Sequence, residues 1–140
     1  GRPLLLTFIY TRCPLPDYCP RTSRNFSEVY RELESVAKTG QKPHLLTVSF
    51  DTEYDTPAVL REYARRYMNP PDFGAWEFAT GSPEDIKNIT GHFGLIYRKE
   101  SGQITHSLVT ALIGADGKLK QIFQGNEWTP SQVLNAFRDQ

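Results

Sequence analysis

Apolar residues dominate Pro3 to Tyr10 (PLLLTFIY) and again Pro43 to Phe50 (PHLLTVSF). The first is a near-continuous apolar run of the kind that forms a strand in the middle of a parallel sheet, and the second is read the same way. Between them the period changes. Phe26, Val29, Tyr30, Leu33 and Val36 recur at helical spacing, which predicts a helix capped by Thr22 or Ser23, running to about Lys38 and stopped by Gly40. Pro57 suits the first turn of a second helix reaching about Met68, with Val59, Leu60, Tyr63 and Tyr67 inward. A short aromatic strand is expected at Trp76 to Ala79. Ser82-Pro83-Glu84-Asp85 then orders cap, proline and acids as a helix start needs them, and that helix runs to about His92.

Beyond His92 the pattern becomes strand-rich. Leu95 to Tyr97 and Leu108 to Ile113 read as strands, Gly114-Ala115-Asp116-Gly117 as a turn, and Lys118 to Phe123 as the returning arm of a hairpin. Thr129-Pro130 opens a last helix with Val133, Leu134 and Phe137 inward. The main order is β-α-β-α-β-α-β-β-α. Its first part calls for parallel strands joined by right-handed crossovers, and its end for an antiparallel hairpin plus helix. This is an α/β, thioredoxin-like plan: a central mixed sheet with flanking helices, in one domain over residues 1–140.

Composition narrows the class. Apolar residues are 39% of the chain and seventeen are aromatic (8 Phe, 7 Tyr, 2 Trp), enough for a core without staples. Lys plus Arg equals Asp plus Glu at 16 each, so nothing points to nucleic acid or an anionic membrane. No apolar run reaches the roughly 18 residues that cross a bilayer, and no secretory signal pattern is present. The chain opens directly in a strand, so an anchor or signal upstream is expected to have been removed.

The chemistry concentrates in Thr11-Arg12-Cys13-Pro14-Leu15-Pro16-Asp17-Tyr18-Cys19-Pro20. Two cysteines are too few for a disulfide scaffold, and so short a loop gains little from closure. Pro14, Pro16 and Pro20 rule out regular helix across the segment, so the loop has to turn back to bring the sulfurs together. Cys19 lies just before a helix start, where the dipole favours thiolate, and Arg12 and Arg21 act in the same direction. Two thiolates suit Cu(I) or Zn, and two thiols can instead cycle with a disulfide. Asp17 and Tyr18 read as solvated loop residues or as tuning groups for the site.

The loop resembles that of the SCO/SenC/PrrC family: a strand ending in Phe-x-Tyr-Thr-x-Cys-Pro, then a second Cys-Pro and a helix. The resemblance extends to Ser49-Phe50-Asp51-Thr52-Glu53-Tyr54-Asp55-Thr56-Pro57, to His106-Ser107, and to Asp116-Gly117-Lys118-Leu119. It covers nearly the whole chain, with the family's first hairpin and membrane anchor expected outside it. It implies one copper ion held by Cys13, Cys19 and His106. It also implies a metallochaperone, rather than an enzyme, in assembly of the CuA centre of cytochrome c oxidase. The implied partner is the oxidase copper subunit or another copper/thiol protein. The implied setting is the bacterial periplasm or cell envelope, anchored to the inner membrane, ahead of the mitochondrial intermembrane space; a monomer is expected. Two departures stand out: the spacing here is C-x5-C where the family has C-x3-C, and Thr105 stands where the family has Asp before His-Ser.

His106 lies in a predicted loop leading into a strand. His44 reads as an edge or surface residue, and His92 as a helix-terminal cation. Asp51, Glu53 and Asp55 lack the ligand count and the glycine of a calcium loop. Asp55-Thr56-Pro57 reads as a turn and helix start, and the resemblance makes Asp51 and Asp55 groups that support the copper loop or contact a partner. Phe73, Trp76 and Phe78 read as core. The competing function is a thiol-disulfide oxidoreductase or redox sensor using Cys13 and Cys19. Against an ordinary thioredoxin-type enzyme stand the spacing, which is not C-x2-C, and Thr105-His106-Ser107 where a proline would enter the hairpin strand. Against a peroxidase, Thr11 precedes Cys13 by only two positions.

Overall fold

The computed structural model describes residues 1–38, 41–101 and 103–140. The two apolar runs become β1 (Leu4–Ile9) and β2 (His44–Ser49), and the aromatic strand becomes β3 (Trp76–Ala79). These three are parallel neighbours. The terminal hairpin supplies β6 (Val109–Ile113), antiparallel to β1, and β7 (Leu119–Gln124). The sheet order is β3-β2-β1-β6-β7, so β1 sits at the centre with a parallel partner on one side and an antiparallel partner on the other.

Alternation along β1 divides the core. Leu5 joins one cluster with Phe26, Val29, Trp76, Phe123, Val133 and Phe137. Leu6, Phe8 and Tyr10 join the other with Val48, Phe50, Ile86, Leu95 and Ile104. A strand packed on both faces has no solvent side to carry polar residues, which is why β1 shows no polar alternation. The helices are α1 (Cys19–Arg31), α2 (Pro57–Ala64), α3 (Pro83–His92) and α4 (Pro130–Arg138). The last three start with proline after a cap whose side chain accepts a backbone N–H: Thr56 from Val59, Ser82 from Asp85, and Thr129 from Gln132.

Up to β3, four expectations need correction. First, α1 begins at Cys19, not after Thr22 or Ser23. Pro20 sits in its first turn, where no N–H is required, and Thr22 and Ser23 lie on the buried face, with the Ser23 hydroxyl 2.8 Å from that of Tyr63. The helix also stops at Arg31, and the chain continues through a 3-10 turn, Leu33–Val36, that buries both end residues in the α1/α4 core. The Gly40 stop lies outside the described residues. Second, α2 ends at Ala64 and tightens into i+3 turns before Met68. Third, His44 is not at an edge: it opens β2 between β1 and β3, half-buried, with Nδ1 2.7 Å from Arg2. Fourth, Phe73 is exposed, whereas Trp76 is fully buried.

The segment after α3 differs most. Leu95 is buried but not in a strand. A separate two-stranded antiparallel ribbon pairs β4 (Tyr97–Glu100) with β5 (Gln103–His106), so His106 ends a strand where a loop was expected. No helix among the described residues is long and apolar enough to cross a membrane.

Candidate metal centre

The sheet's carboxyl end and the ribbon converge on one point. β1 delivers the chain to Tyr10, whose carbonyl accepts from Cys13 N at 3.3 Å, turning the loop outward. A second turn, Tyr18 N to the Leu15 carbonyl at 3.1 Å, brings it back so that Cys19 enters α1. The prolines thus shape a reversal that spans the long C-x5-C interval. From the other side, β5 presents His106. Its end is fastened by Ser107 N donating to the Ile96 carbonyl (2.9 Å) and Ile96 N donating to Ser107 Oγ (3.1 Å).

Cys13, Cys19 and His106 form a cluster whose ligand atoms all lie within 4.8 Å of one another. Both cysteines are free thiols. Cys19 Sγ lies 3.4 Å from His106 Nε2, and His106 Nδ1 lies 2.7 Å from the Ser107 carbonyl oxygen. A carbonyl can only accept, so in the neutral ring Nδ1 carries the proton and the Nε2 lone pair faces the sulfurs. That is the tautomer a metal-ligating imidazole requires, held by a backbone acceptor. Two sulfurs and one imidazole nitrogen make a soft donor set, suited to copper or zinc and unsuited to calcium or magnesium.

The two thiols are not equivalent. Cys13 is pushed down to about 4, first by the hydrogen bond from Cys19, against the cost of burial. Cys19 is pushed up, first as donor in that same hydrogen bond and then by burial; it is 0% exposed. At Cys19, burial and the neighbouring sulfur act against the helix dipole. In the reduced, metal-free protein a small alkylating agent should modify Cys13 alone. Its rate should be flat across neutral pH and fall only as pH approaches about 4. A rate that climbs through the alkaline range, as for an ordinary thiol, would contradict this assignment.

Aromatic rings wall the imidazole. Phe50 lies 4.8 Å away between centroids, Tyr10 5.6 Å edge-on, and Tyr18 6.4 Å edge-on; Tyr97 stacks on Phe50 at 5.1 Å. Sequence reasoning noticed Tyr18 without tying it to His106, and missed Tyr10, Phe50 and Tyr97. The available signal was their position at strand ends next to ligand-bearing loops.

Asp51 and Asp55 are fully buried beneath the loop. Asp55 accepts from Thr11 N at 3.0 Å and from the hydroxyls of Thr11 and Ser49. Asp51 accepts from Arg12 Nε at 2.9 Å and Nη2 at 2.7 Å, and the Arg12 guanidinium covers the Tyr54 ring at 4.3 Å. The two residues before Cys13 are thus clamped by the two acids. Asp17 is different: it is exposed, its backbone carbonyl accepts from Asn126, and it is not part of the ligand cluster.

The SCO1/SenC family matches the chain over residues 1–140. The chain is 32% identical to the SCO2-like protein of Rickettsia felis, over 99% of this chain and 65% of that one. It is 30% identical to the SCO1 protein homolog of Bacillus subtilis, over 93% of this chain and 66% of that one. It spans about two thirds of the length of these curated relatives. Among solved structures, ScoI of Bradyrhizobium japonicum with copper bound superposes with a TM-score of 0.77 at 26% identity, over 99% of this chain and 85% of that one. BsSco, in which a disulfide switch has been identified and which is described as a member of the Sco family of cytochrome c oxidase assembly proteins, gives 0.78 at 28%, over 99% and 80%.

Proposed function

The chain belongs to the SCO1/SenC family, and from that premise we propose that it binds one copper ion through Cys13, Cys19 and His106 and delivers it during assembly of the CuA centre of cytochrome c oxidase. The observation that carries this reading is the cluster itself: two free sulfurs and an inward-facing imidazole lone pair within 4.8 Å. Such a set accepts both copper oxidation states. Copper is the cargo here. Cys13 receives it as a thiolate, Cys19 releases a proton to bind it, and affinity therefore rises with pH. The acceptor is the oxidase copper subunit or another copper/thiol protein, at the periplasmic face of a bacterial inner membrane.

The opposed acidities of the two cysteines favour one second reading. A low-pKa, partly exposed thiolate beside a buried thiol is the arrangement of a dithiol that exchanges with disulfides. Loading CuA requires reduced thiols in the acceptor, so reductant and copper donor are compatible roles for one site.

Anaerobic titration of the reduced protein with Cu(I) against a competing chelator tests the reading. One-to-one binding is expected, weakened at least about a hundredfold by Cys13→Ser and by Cys19→Ser, since loss of even a ligand's hydrogen-bond partner costs ten- to a hundredfold. Failure to bind copper with both thiols free would remove the copper reading and leave the dithiol one.

A further inference from the structure

β7 closes the sheet on one side, and no strand among the described residues pairs with its outer edge. Gly125 N donates to the Leu108 carbonyl at 2.9 Å. Alternation from that pair turns the N–H and C=O groups of Gln124 and Ile122 away from β6, so both residues offer a donor and an acceptor to the open edge. The first half of the strand is blunted. A register shift interrupts its pairing at Leu112 and Ile113, and the Lys120 ammonium is held by Asp116 at 2.9 Å. Bulges and edge lysines are devices that keep a strand edge from pairing. The second half, from Ile122 to Gln124, has neither, and Ile122 is 37% exposed. Beside it a groove of about 650 Å³ runs between β7 and α4, floored by Phe123 and Trp128 and walled by Gln132 and Asn135. Trp128 is 6% exposed, and its indole N–H is buried without a partner. Of the charged side chains that line the groove, Lys120 is taken by Asp116, whereas Glu127 and Asp139 have no ion pair among the described residues. The cation beside them, Arg138, donates to Asn135 Oδ1 at 2.8 Å.

We propose that the open half of β7 and the groove beside it receive an extended segment of a partner protein, added to the sheet as an edge strand and carrying a lysine or arginine. The unpaired groups of Ile122 and Gln124 call for a backbone in extended form, since only that spacing meets a donor and an acceptor on every second residue. Alternate side chains of the segment enter the groove. There a basic one meets Glu127 or Asp139, and a hydroxyl or amide oxygen accepts from the Trp128 indole. The intervening apolar side chains cover Ile122 on the other face of the sheet. The unpaired carboxylates select a basic segment over an acidic one. A second copy of this chain fits less well: antiparallel pairing about Ile122 sets Lys120 of each chain against Gln124 of the other, blunted half against open half. Cys13, Cys19 and His106 do not line the groove, so the inference stands apart from the copper reading. The two places are neighbours all the same. Asn126, just past the open half, donates to the Asp17 carbonyl in the cysteine loop. A segment held on β7 thus keeps its parent protein at the metal-bearing end of the sheet.

The probe is a capped pentapeptide, threonine-valine-lysine-valine-threonine, titrated into the isotope-labelled, reduced, metal-free protein and followed by NMR. Expected are shifts of the Ile122 and Gln124 amides and of the Trp128 indole N–H, while the indole of Trp76, which donates to Thr47, stays in place. Replacing the lysine of the peptide by glutamate should weaken binding at least about fivefold. That preference for lysine should disappear in Glu127→Gln/Asp139→Asn. N-methylation of the two valines, which removes the donors that face β7, should weaken binding at least about tenfold. No shifts at millimolar peptide, or shifts confined to other surfaces, would overturn the proposal. So would equal affinity for the lysine and glutamate peptides, undiminished binding of the N-methylated peptide, or self-association of the protein through β7 without peptide.

Discussion

Replacing His106 by alanine is expected to weaken Cu(I) binding at least about a hundredfold while leaving the acidity of Cys13 largely in place. The first half follows from ligand loss: loss of a partner that merely orients a metal-bound imidazole costs ten- to a hundredfold, and here the imidazole itself is removed. The second half follows from the order of causes at Cys13. The hydrogen bond from Cys19 lowers its pKa most, and the imidazole, with its proton on Nδ1 toward the Ser107 carbonyl, presents no N–H to the sulfur. The folded-state pKa should therefore stay well below the ordinary cysteine value. Alkylation of Cys13 in the variant should still be rapid at neutral pH. A chelator-competition titration and an alkylation pH profile on the same sample separate the two effects. Unchanged copper affinity would remove His106 from the ligand set. Joint collapse of affinity and Cys13 reactivity would mean that the ring holds the loop rather than the metal.

The parts of the fold that sequence made legible are those with a strong local signal. β1 and β2 announce themselves as apolar runs because both of their faces are buried, and α3 and α4 because Ser82-Pro83 and Thr129-Pro130 are caps whose side chains accept backbone N–H groups as anticipated. The ribbon was not legible. Tyr97-Arg98-Lys99-Glu100 and Gln103-Ile104-Thr105-His106 contain little apolar pattern, and their strand form depends on pairing with each other. The start of α1 was hidden because Pro20 was read as excluding helix when it occupies the one turn that tolerates it. At the site, Cys13, Cys19 and His106 were nameable from motif and residue chemistry. Their relative acidity was not, since the burial of Cys19 and its closeness to Cys13 and His106 arise from tertiary packing that no local pattern encodes. The same holds for the aromatic wall: Tyr10, Phe50 and Tyr97 come from three strands or strand ends far apart in sequence.

Asp55→Ala is expected to destabilise the protein by about 3 kcal/mol and to weaken Cu(I) binding by about tenfold, although Asp55 does not belong to the ligand cluster. Its carboxyl group is fully buried and accepts from Thr11 N, Thr11 Oγ1 and Ser49 Oγ. Removing it strands three donors, each worth roughly 1–3 kcal/mol when buried without a partner. The total falls short of the sum because the two hydroxyls can rotate and water can reach half-buried Thr11. Ser49 Oγ also accepts from Asp51 N at 3.1 Å, so the loss spreads to the residue that clamps Arg12. The copper effect follows from position: Thr11 is two residues from Cys13, and an unfastened Thr11 lets that sulfur sample positions away from Cys19 and His106. Asp55→Asn is the sharper variant. It keeps the shape and one acceptor oxygen, which can serve Thr11 N and Ser49 Oγ, while the amide N–H faces the Thr11 hydroxyl, which can turn to accept, so most of the stability should return and only the charge is lost. Urea unfolding of both variants, alongside Thr11→Val and the double substitution, gives the coupling directly. Additive losses would mean that Asp55 and Thr11 act independently and that the acid does not hold the loop. A coupling of 1 kcal/mol or more, accompanied by the copper effect, is the expected signature of a buried acid that sets where Cys13 stands.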